Sequence, residues 1–188
     1  MSDKGGGRKS SRSRETRGSS VDIWLPELQA TAVGDWRTAT VGESMMGVAP
    51  HISLMYPWLP PADLSVGVER LALAIADVSA FAIEVDTVGT FAEVVWIAPK
   101  RAREFRILME KIAKAFPECS AYEGRVEVPQ PHITVALAGS RDETPLLKNR
   151  VERWLDACGP IRLSVVEVSV VAQDDQGRWE VVVALPLR

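Results

Sequence analysis

The feature that most constrains this chain is a short motif that occurs twice. Residues 50–54 read PHISL and residues 131–135 read PHITV, and the two motifs contain the only two histidines of the 188 residues. An apolar run follows each histidine, which predicts that each motif lies at the start of a buried strand. From composition, a chance repeat of this pattern has odds on the order of one in ten thousand. Coincidence is therefore a poor explanation of the repeat.

The spacing within each motif predicts which side chains share a face. Residues i and i+2 of a strand point to the same side. We therefore expect His51 and Ser53 to project together, and His132 and Thr134 to do the same. If the two strands lie near each other, two imidazoles and two hydroxyls converge on one small volume.

That set of side chains suits acid–base chemistry on a phosphodiester. Histidine can serve as base or acid near neutral pH, and hydroxyls can donate hydrogen bonds to phosphate oxygens. Either motif alone would be better explained as a core histidine bonded to a neighbouring hydroxyl, but the pair favours function. A serine-nucleophile site is not indicated, because the chain has no Gly-x-Ser-x-Gly motif. With two widely separated histidines and two cysteines, no metal site is expected.

Charge divides the chain into a tail and a domain. The net charge is −3, yet residues 1–20 hold six basic and two acidic side chains, so the remainder is acidic. Residues 1–20 are also rich in Gly, Ser and Arg, which predicts a disordered basic tail followed by one domain over residues 21–188. The tail has no apolar segment typical of a secretory signal, so we expect a cytoplasmic protein with no membrane partner.

Alternating helix and strand patterns predict an α+β fold with antiparallel neighbours. Helices are predicted over Leu64–Val78, Ala102–Phe116 and Thr144–Ala157. Strands are predicted over Val21–Leu25, around residues 81–85, over residues 94–97, over residues 162–172 and over residues 179–187. Residues 26–48 indicate no more than a short helix and a loop.

With these motifs, the chain resembles the 2H phosphoesterase superfamily, and most of all bacterial proteins labelled 2′-5′ RNA ligase or cyclic phosphodiesterase. The resemblance covers residues 21–188 and rests on the two His-x-(Ser/Thr)-apolar motifs and on the Met-Tyr-Pro-Trp sequence at residues 55–58. It implies two pseudo-symmetric lobes whose mainly antiparallel sheets face a central cleft. It also implies that His51 and His132 are catalytic and that Ser53 and Thr134 bind the phosphate.

The resemblance implies a 2′,3′-cyclic phosphate of a nucleotide or RNA end as substrate, with no cofactor. We expect a monomer that hydrolyses this substrate. Two alternatives stay open, namely a 2′-5′ RNA ligase and a non-catalytic module that binds a nucleotide or RNA end. Four aromatic residues are candidates for stacking on a nucleobase, although each is expected more often to pack in the core: Tyr56, Trp58, Phe91 and Trp96.

Overall fold

The computed structural model of the chain describes residues 18–40, 47–120, 124 and 129–188. Within these ranges, eight strands form two four-stranded sheets. The strands are β1 (Ser19–Trp24), β2 (His51–Met55), β3 (Phe81–Phe91), β4 (Val94–Pro99), β5 (Ile133–Leu137), β6 (Ile161–Val165), β7 (Glu167–Gln173) and β8 (Trp179–Pro186). The helices are α1 (Ala32–Thr40), α2 (Leu64–Ile75), α3 (Arg103–Ala115) and α4 (Thr144–Cys158).

Each sheet has a motif-bearing strand at its edge. The first sheet has the order β2-β1-β7-β8, and the second has the order β5-β4-β3-β6. All neighbouring strands run antiparallel. The predicted α+β fold with antiparallel sheets is therefore confirmed.

The helices that precede the motif strands are exchanged between the two sheets. Helix α1 leads into β2 but packs against β5, whereas α3 leads into β5 but packs against β2. Helix α4 covers β3 and β4, and α2 packs against α3. This exchange ties the two sheets together.

The ends of the helices follow local chemistry. Helix α4 stops at Gly159, whose φ of 73° suits glycine better than any residue with a side chain. Helix α3 ends just before Phe116, since Pro117 cannot continue it. Its buried face consists of Phe105, Leu108 and Ile112, all fully buried. The apolar face of this helix is thus a core face.

The structure differs from the sequence-based expectations at several places. Helix α2 ends at Ile75 rather than Val78. The predicted strand at residues 162–172 is interrupted at Val166, so that β6 and β7 belong to different sheets. Residues 26–48 contain a 3₁₀ helix at Pro26–Ala30 followed by α1, and residues 41–46 lie outside the described residues.

The first strand begins at Ser19, two residues before the predicted start of the domain. Residues 1–17 lie outside the described residues, so the disordered basic tail stays a prediction. No helix in the described ranges is long and apolar enough to cross a membrane.

Candidate active site

The two motifs occupy equivalent places in the two sheets. The first lies on β2 and the second on β5, and these edge strands contact each other. Burial alternates in the same way along both. His51 and Ser53 are half-buried while Ile52 is fully buried, and Thr134 is likewise half-buried beside the fully buried Ile133. The period of two predicted from the sequence therefore holds in both motifs.

Both motif strands also change register just after the hydroxyl residue. On β2 the pairing with β1 shifts between Ser53 and Met55, so that Leu54 is the extra residue. On β5 the pairing with β4 shifts between Thr134 and Ala136, with Val135 as the extra residue. Such a bulge twists the strand and turns the next two side chains into the core. It ends the alternating pattern at the point where the motif is complete.

The backbone fixes the tautomer of both imidazoles in the same way. Nδ1 of His51 lies 2.9 Å from the carbonyl oxygen of Ala49, and Nδ1 of His132 lies 2.7 Å from that of Gln130. A carbonyl oxygen only accepts, so Nδ1 must carry the hydrogen in each ring. Nε2 is then left to take or give a proton. In each case the carbonyl precedes the motif proline, which holds the preceding residue in extended geometry.

Aromatic rings flank each histidine. The Trp24 ring stacks on His51, with centroids 5.7 Å apart and planes 22° apart. The Phe91 ring meets His132 edge-on at 5.1 Å, and Trp96 lies 6.0 Å from the same imidazole. These contacts restrict the rotation of both imidazoles.

Three of the four predicted site residues line one cavity of about 360 Å³. These are His51, Ser53 and Thr134, from both sheets. Among the described residues, the lining consists of Ser20, Asp22, Trp24, Val48, His51, Ser53, Tyr56, Val94, Thr134, Leu137 and Trp179. His132 does not line this cavity, but it lies two residues before Thr134 and close enough to interact electrostatically with His51. The structure thus brings three of the four predicted residues to one cavity, and His132 lies immediately before the strand that carries the third.

The electrostatic environments of the two histidines differ. Burial lowers the pKa of His132 from its ordinary value of 6.5, and a charge on His51 lowers it further. The hydrogen bond to the carbonyl oxygen of Gln130 opposes part of this shift. The net effect favours the neutral form of the His132 imidazole over the charged form.

The sequence model of the 2′-5′ RNA ligase superfamily matches residues 25–177, which include both motifs. The chain belongs to the 2′-5′ RNA ligase superfamily. The resemblance to the 2H phosphoesterases is thereby confirmed. No curated protein sequence matches the chain.

Several solved structures share the fold of this chain. LigT of E. coli, complexed with 3′-AMP, is 19% identical, with a TM-score of 0.62 over 92% of this chain and 99% of LigT. TT0787 of Thermus thermophilus is 16% identical, with a TM-score of 0.59 over 92% of this chain and 98% of TT0787. A protein described as a phosphoesterase is 16% identical, with a TM-score of 0.55 over 91% of this chain and 98% of its own. At such identities the likeness concerns the fold alone.

Asp22 is a polar residue of the cavity that the sequence analysis missed. It is 2% exposed, and it lies opposite Ser53 on the neighbouring strand β1. Its carboxylate accepts a hydrogen bond from the Ser20 hydroxyl at 2.5 Å. An acidic residue in the apolar run 21–25 was a visible signal, but its position beside the first motif depends on strand pairing.

Arg37 of α1 is the second residue that was missed. Its guanidinium is buried and donates to the carbonyl oxygens of Thr134 (2.7 Å) and Val48 (2.9 Å). Burial lowers the pKa of Arg37 to about 10, so the group stays charged at neutral pH. One side chain therefore connects Val48, which precedes the first motif, with Thr134 of the second motif.

The four aromatic candidates for nucleobase stacking have different environments. Trp58 is buried and packs its ring against Phe116, so it belongs to the core. Trp96 is half-buried beside His132. Tyr56 and Phe91 are 41% and 44% exposed, one near each motif. Of the four, only these two present a large surface to a ligand.

The described ranges hold no group of three or more His, Cys, Asp or Glu side chains that could bind a metal ion. A larger cavity, of about 720 Å³, lies between β3, β6 and the start of α3. Its charged residues have both signs, and Glu84 and Arg162 are already paired across it at 2.9 Å. It contains none of the motif residues.

Proposed function

We propose that this protein is a metal-independent phosphodiesterase that hydrolyses 2′,3′-cyclic phosphates of nucleotides or RNA ends. His51 and His132 would be the acid–base pair, and Ser53 and Thr134 would hold the phosphate. One observation supports this most strongly. His51, Ser53 and Thr134 line a single cavity, and His132 interacts with His51 from the other sheet.

The proposed reaction needs one proton removed and one proton supplied. One imidazole Nε2 takes a proton from water, and the water oxygen forms a bond to phosphorus. The bond from phosphorus to one ribose oxygen breaks, and the other imidazole donates its proton to that oxygen. The hydroxyls of Ser53 and Thr134 donate hydrogen bonds to the non-bridging phosphate oxygens, where negative charge grows.

The environments of the histidines support one assignment of these roles. His132 has a lowered pKa because it is buried, so it is the better candidate for the base. His51 is then the acid. Both Nδ1 atoms are engaged by backbone carbonyls, so each ring would act through Nε2.

The surroundings of the cavity support a nucleotide as substrate. Tyr56 and Phe91 offer exposed rings on the two sides of the motif strands, and such rings stack well on nucleobases. LigT structures are described as complexes with 3′-AMP, NADP⁺ and ATP. The acidic domain disfavours long RNA bound through its backbone, so a mononucleotide or short RNA end fits better.

The superfamily description favours one alternative, the joining of RNA ends through a 2′-5′ bond. Ligation replaces the attacking water with a 5′-hydroxyl, and the same histidines and hydroxyls would serve it. A module that binds a nucleotide without turning it over is the other alternative.

The decisive experiment measures turnover of a 2′,3′-cyclic nucleotide in excess chelator. The intact protein is compared with His51→Ala and His132→Ala. We expect activity to survive chelation and to fall by about 10²–10⁴ in each variant. Ser53→Thr and Thr134→Ser are the matched controls, because each keeps a hydroxyl at its place and should keep most of the activity.

Full activity in either histidine variant would contradict the assignment. Loss of activity in chelator that returns with a divalent cation would contradict metal independence. If the intact protein joins an RNA cyclic-phosphate end to a 5′-hydroxyl but does not hydrolyse it, the ligase alternative holds. Binding without any reaction would support the non-catalytic alternative.

A further inference from the structure

The N-terminal segment, residues 1–17, joins the described part of the chain at the edge of the candidate active-site cavity. Gly18 is held there by Gln173, the last residue of β7. The backbone N–H of Gly18 donates to Oε1 of Gln173 at 2.9 Å, and its carbonyl oxygen accepts from the backbone N–H of Gln173 at 3.0 Å. Ser20, two residues further along the chain, lines the cavity. The segment is therefore attached within a few residues of the site.

Trp179, the first residue of β8, borders both Gly18 and the cavity. Its side chain is part of the cavity lining, where it meets the Tyr56 ring edge-on at a centroid distance of 6.1 Å. A Cβ on Gly18 would lie only 3.1 Å from the same indole. One aromatic ring therefore lies against the backbone at Gly18 and against the space where a substrate would bind.

The cavity itself offers little positive charge to a polyanion. Among the described residues that line it, none is Lys or Arg. Arg37 is buried and bonds two backbone carbonyl oxygens. Arg178, next to Trp179, pairs with Asp174 at 2.9 Å. Hydroxyl groups can hold the reacting phosphate, but each further phosphate of an RNA needs a cation from elsewhere in the chain.

The N-terminal segment contains such cations. Residues 1–17 hold six basic and two acidic side chains, although the whole chain has a net charge of −3. Arg12, Arg14 and Arg17 are the basic residues of the segment that lie nearest to Gly18 in sequence. An extended chain spans at most about 3.6 Å per residue, so the backbone of all three lies within roughly 22 Å of Gly18. That distance covers several nucleotides of an RNA whose end occupies the cavity.

We propose that the N-terminal segment binds the phosphates of the RNA nucleotides that precede a cyclic-phosphate end held in the cavity. Arg12, Arg14 and Arg17 are the cations closest to that end. The inference rests on the proposed function and deepens it, because it assigns as substrate class an RNA end of several nucleotides rather than a free mononucleotide. RNA is favoured over a lipid surface because Met1 is the only large apolar residue of the segment, which therefore has no apolar face to insert into a bilayer.

RNA binding tests the inference without turnover. The probe is a fluorescent single-stranded RNA of about eight nucleotides that ends in a 3′-phosphate and so has no cyclic phosphate to open. The intact protein is compared with the full-length triple variant Arg12→Gln, Arg14→Gln and Arg17→Gln. Each phosphate contact to a single strand contributes about 0.7 to the slope of log affinity against log salt concentration. The slope should be less steep by about 2 in the variant, and the affinity about 100-fold lower at about 0.1 M salt if the two proteins converge near 1 M.

The matched control removes the same charge from three exposed residues that do not line the cavity: Lys114→Gln, Arg153→Gln and Arg162→Gln. It should leave the RNA affinity and the salt slope nearly unchanged. The inference is overturned if the first variant binds the RNA as tightly as the intact protein, or if the control loses as much affinity. Binding of the intact protein to phosphatidylserine vesicles but not to the RNA would also overturn it, in favour of a membrane surface.

Kinetics separate this inference from the proposed function. For an RNA of the same length that ends in a 2′,3′-cyclic phosphate, the first variant should raise KM at least about tenfold and leave kcat little changed, because only remote binding is lost. Turnover of a 2′,3′-cyclic mononucleotide, which has no further phosphates, should stay close to that of the intact protein. An equal loss with the mononucleotide would contradict the inference. If the intact protein turns over neither substrate, the proposed function fails, while the RNA-binding comparison still decides the role of the segment.

Discussion

Replacing Arg37 with methionine tests whether one buried side chain sets the spacing of the two motifs. Arg37 is 3% exposed, and its guanidinium donates hydrogen bonds to the carbonyl oxygens of Val48 and Thr134, which belong to different halves of the site. Methionine fills similar space but cannot donate. Both carbonyl groups then lose this charged donor.

The cost can be worked out from these two bonds. A hydrogen bond to a charged group contributes about 1.5–3 kcal/mol, so the two together contribute about 3–6 kcal/mol. The variant no longer has to bury a guanidinium, which offsets part of that loss. We expect Arg37→Met to lower the free energy of unfolding by about 2–4 kcal/mol. For a chain of this size, that lowers Tm by roughly 10 °C.

Urea denaturation followed by tryptophan fluorescence measures this change, and turnover of a cyclic nucleotide measures its effect on the site. The free energy of unfolding of Arg37→Lys should lie between that of the intact protein and that of Arg37→Met, because one ammonium group replaces the guanidinium that bonds both carbonyl oxygens. Arg141→Met removes an exposed ion pair with Glu93 and should cost less than about 1 kcal/mol. The reasoning would be refuted if Arg37→Met were as stable as Arg141→Met.

Two further predictions concern the surroundings of His132. A Cβ at Gly89 would lie 2.1 Å from the Trp96 ring, so Gly89→Ala should displace that indole from the His132 imidazole. We expect kcat to fall roughly 10- to 100-fold. Thr90→Ala is the control, and equal kcat in the two variants would contradict the prediction. Because burial lowers the pKa of His132, the unfolded chain binds more protons than the folded one just below pH 6.5. Stability should therefore fall as pH drops below about 6.5, and less so in His132→Gln, whose side chain does not titrate. Denaturation at about pH 7.5, 6.5 and 5.5 checks this, and identical pH dependence in both proteins would disprove it.

Much of the candidate site could be predicted because the information is local. A period of two in a strand places His51 beside Ser53 and His132 beside Thr134, whatever the rest of the chain does. The proline before each histidine favours the extended backbone that precedes each imidazole. Helices α3 and α4 were also predictable to within a residue at each end, since each has one apolar stripe and a local stop signal.

Other features depend on partners that are distant in sequence. The run at residues 162–172 shows no break in its pattern at Val166, so only the pairing of β6 with β3 and of β7 with β1 separates the two strands. Asp22 becomes part of the site because the register of β1 and β2 sets it opposite Ser53. No local pattern specifies that register.

The sequence by itself therefore determined the chemistry available to this protein, because an imidazole and a hydroxyl two residues apart on a strand face the same way. Only the tertiary structure decided how the two copies differ. Packing buries His132 and lowers its pKa, while strand pairing sets Asp22 opposite Ser53 in the cavity that His51 also lines. Helix α1 crosses to the opposite sheet, and its Arg37 joins the two motifs through their backbone carbonyls. Desolvation and Coulomb interactions depend on distances between remote residues, and folding alone sets those distances.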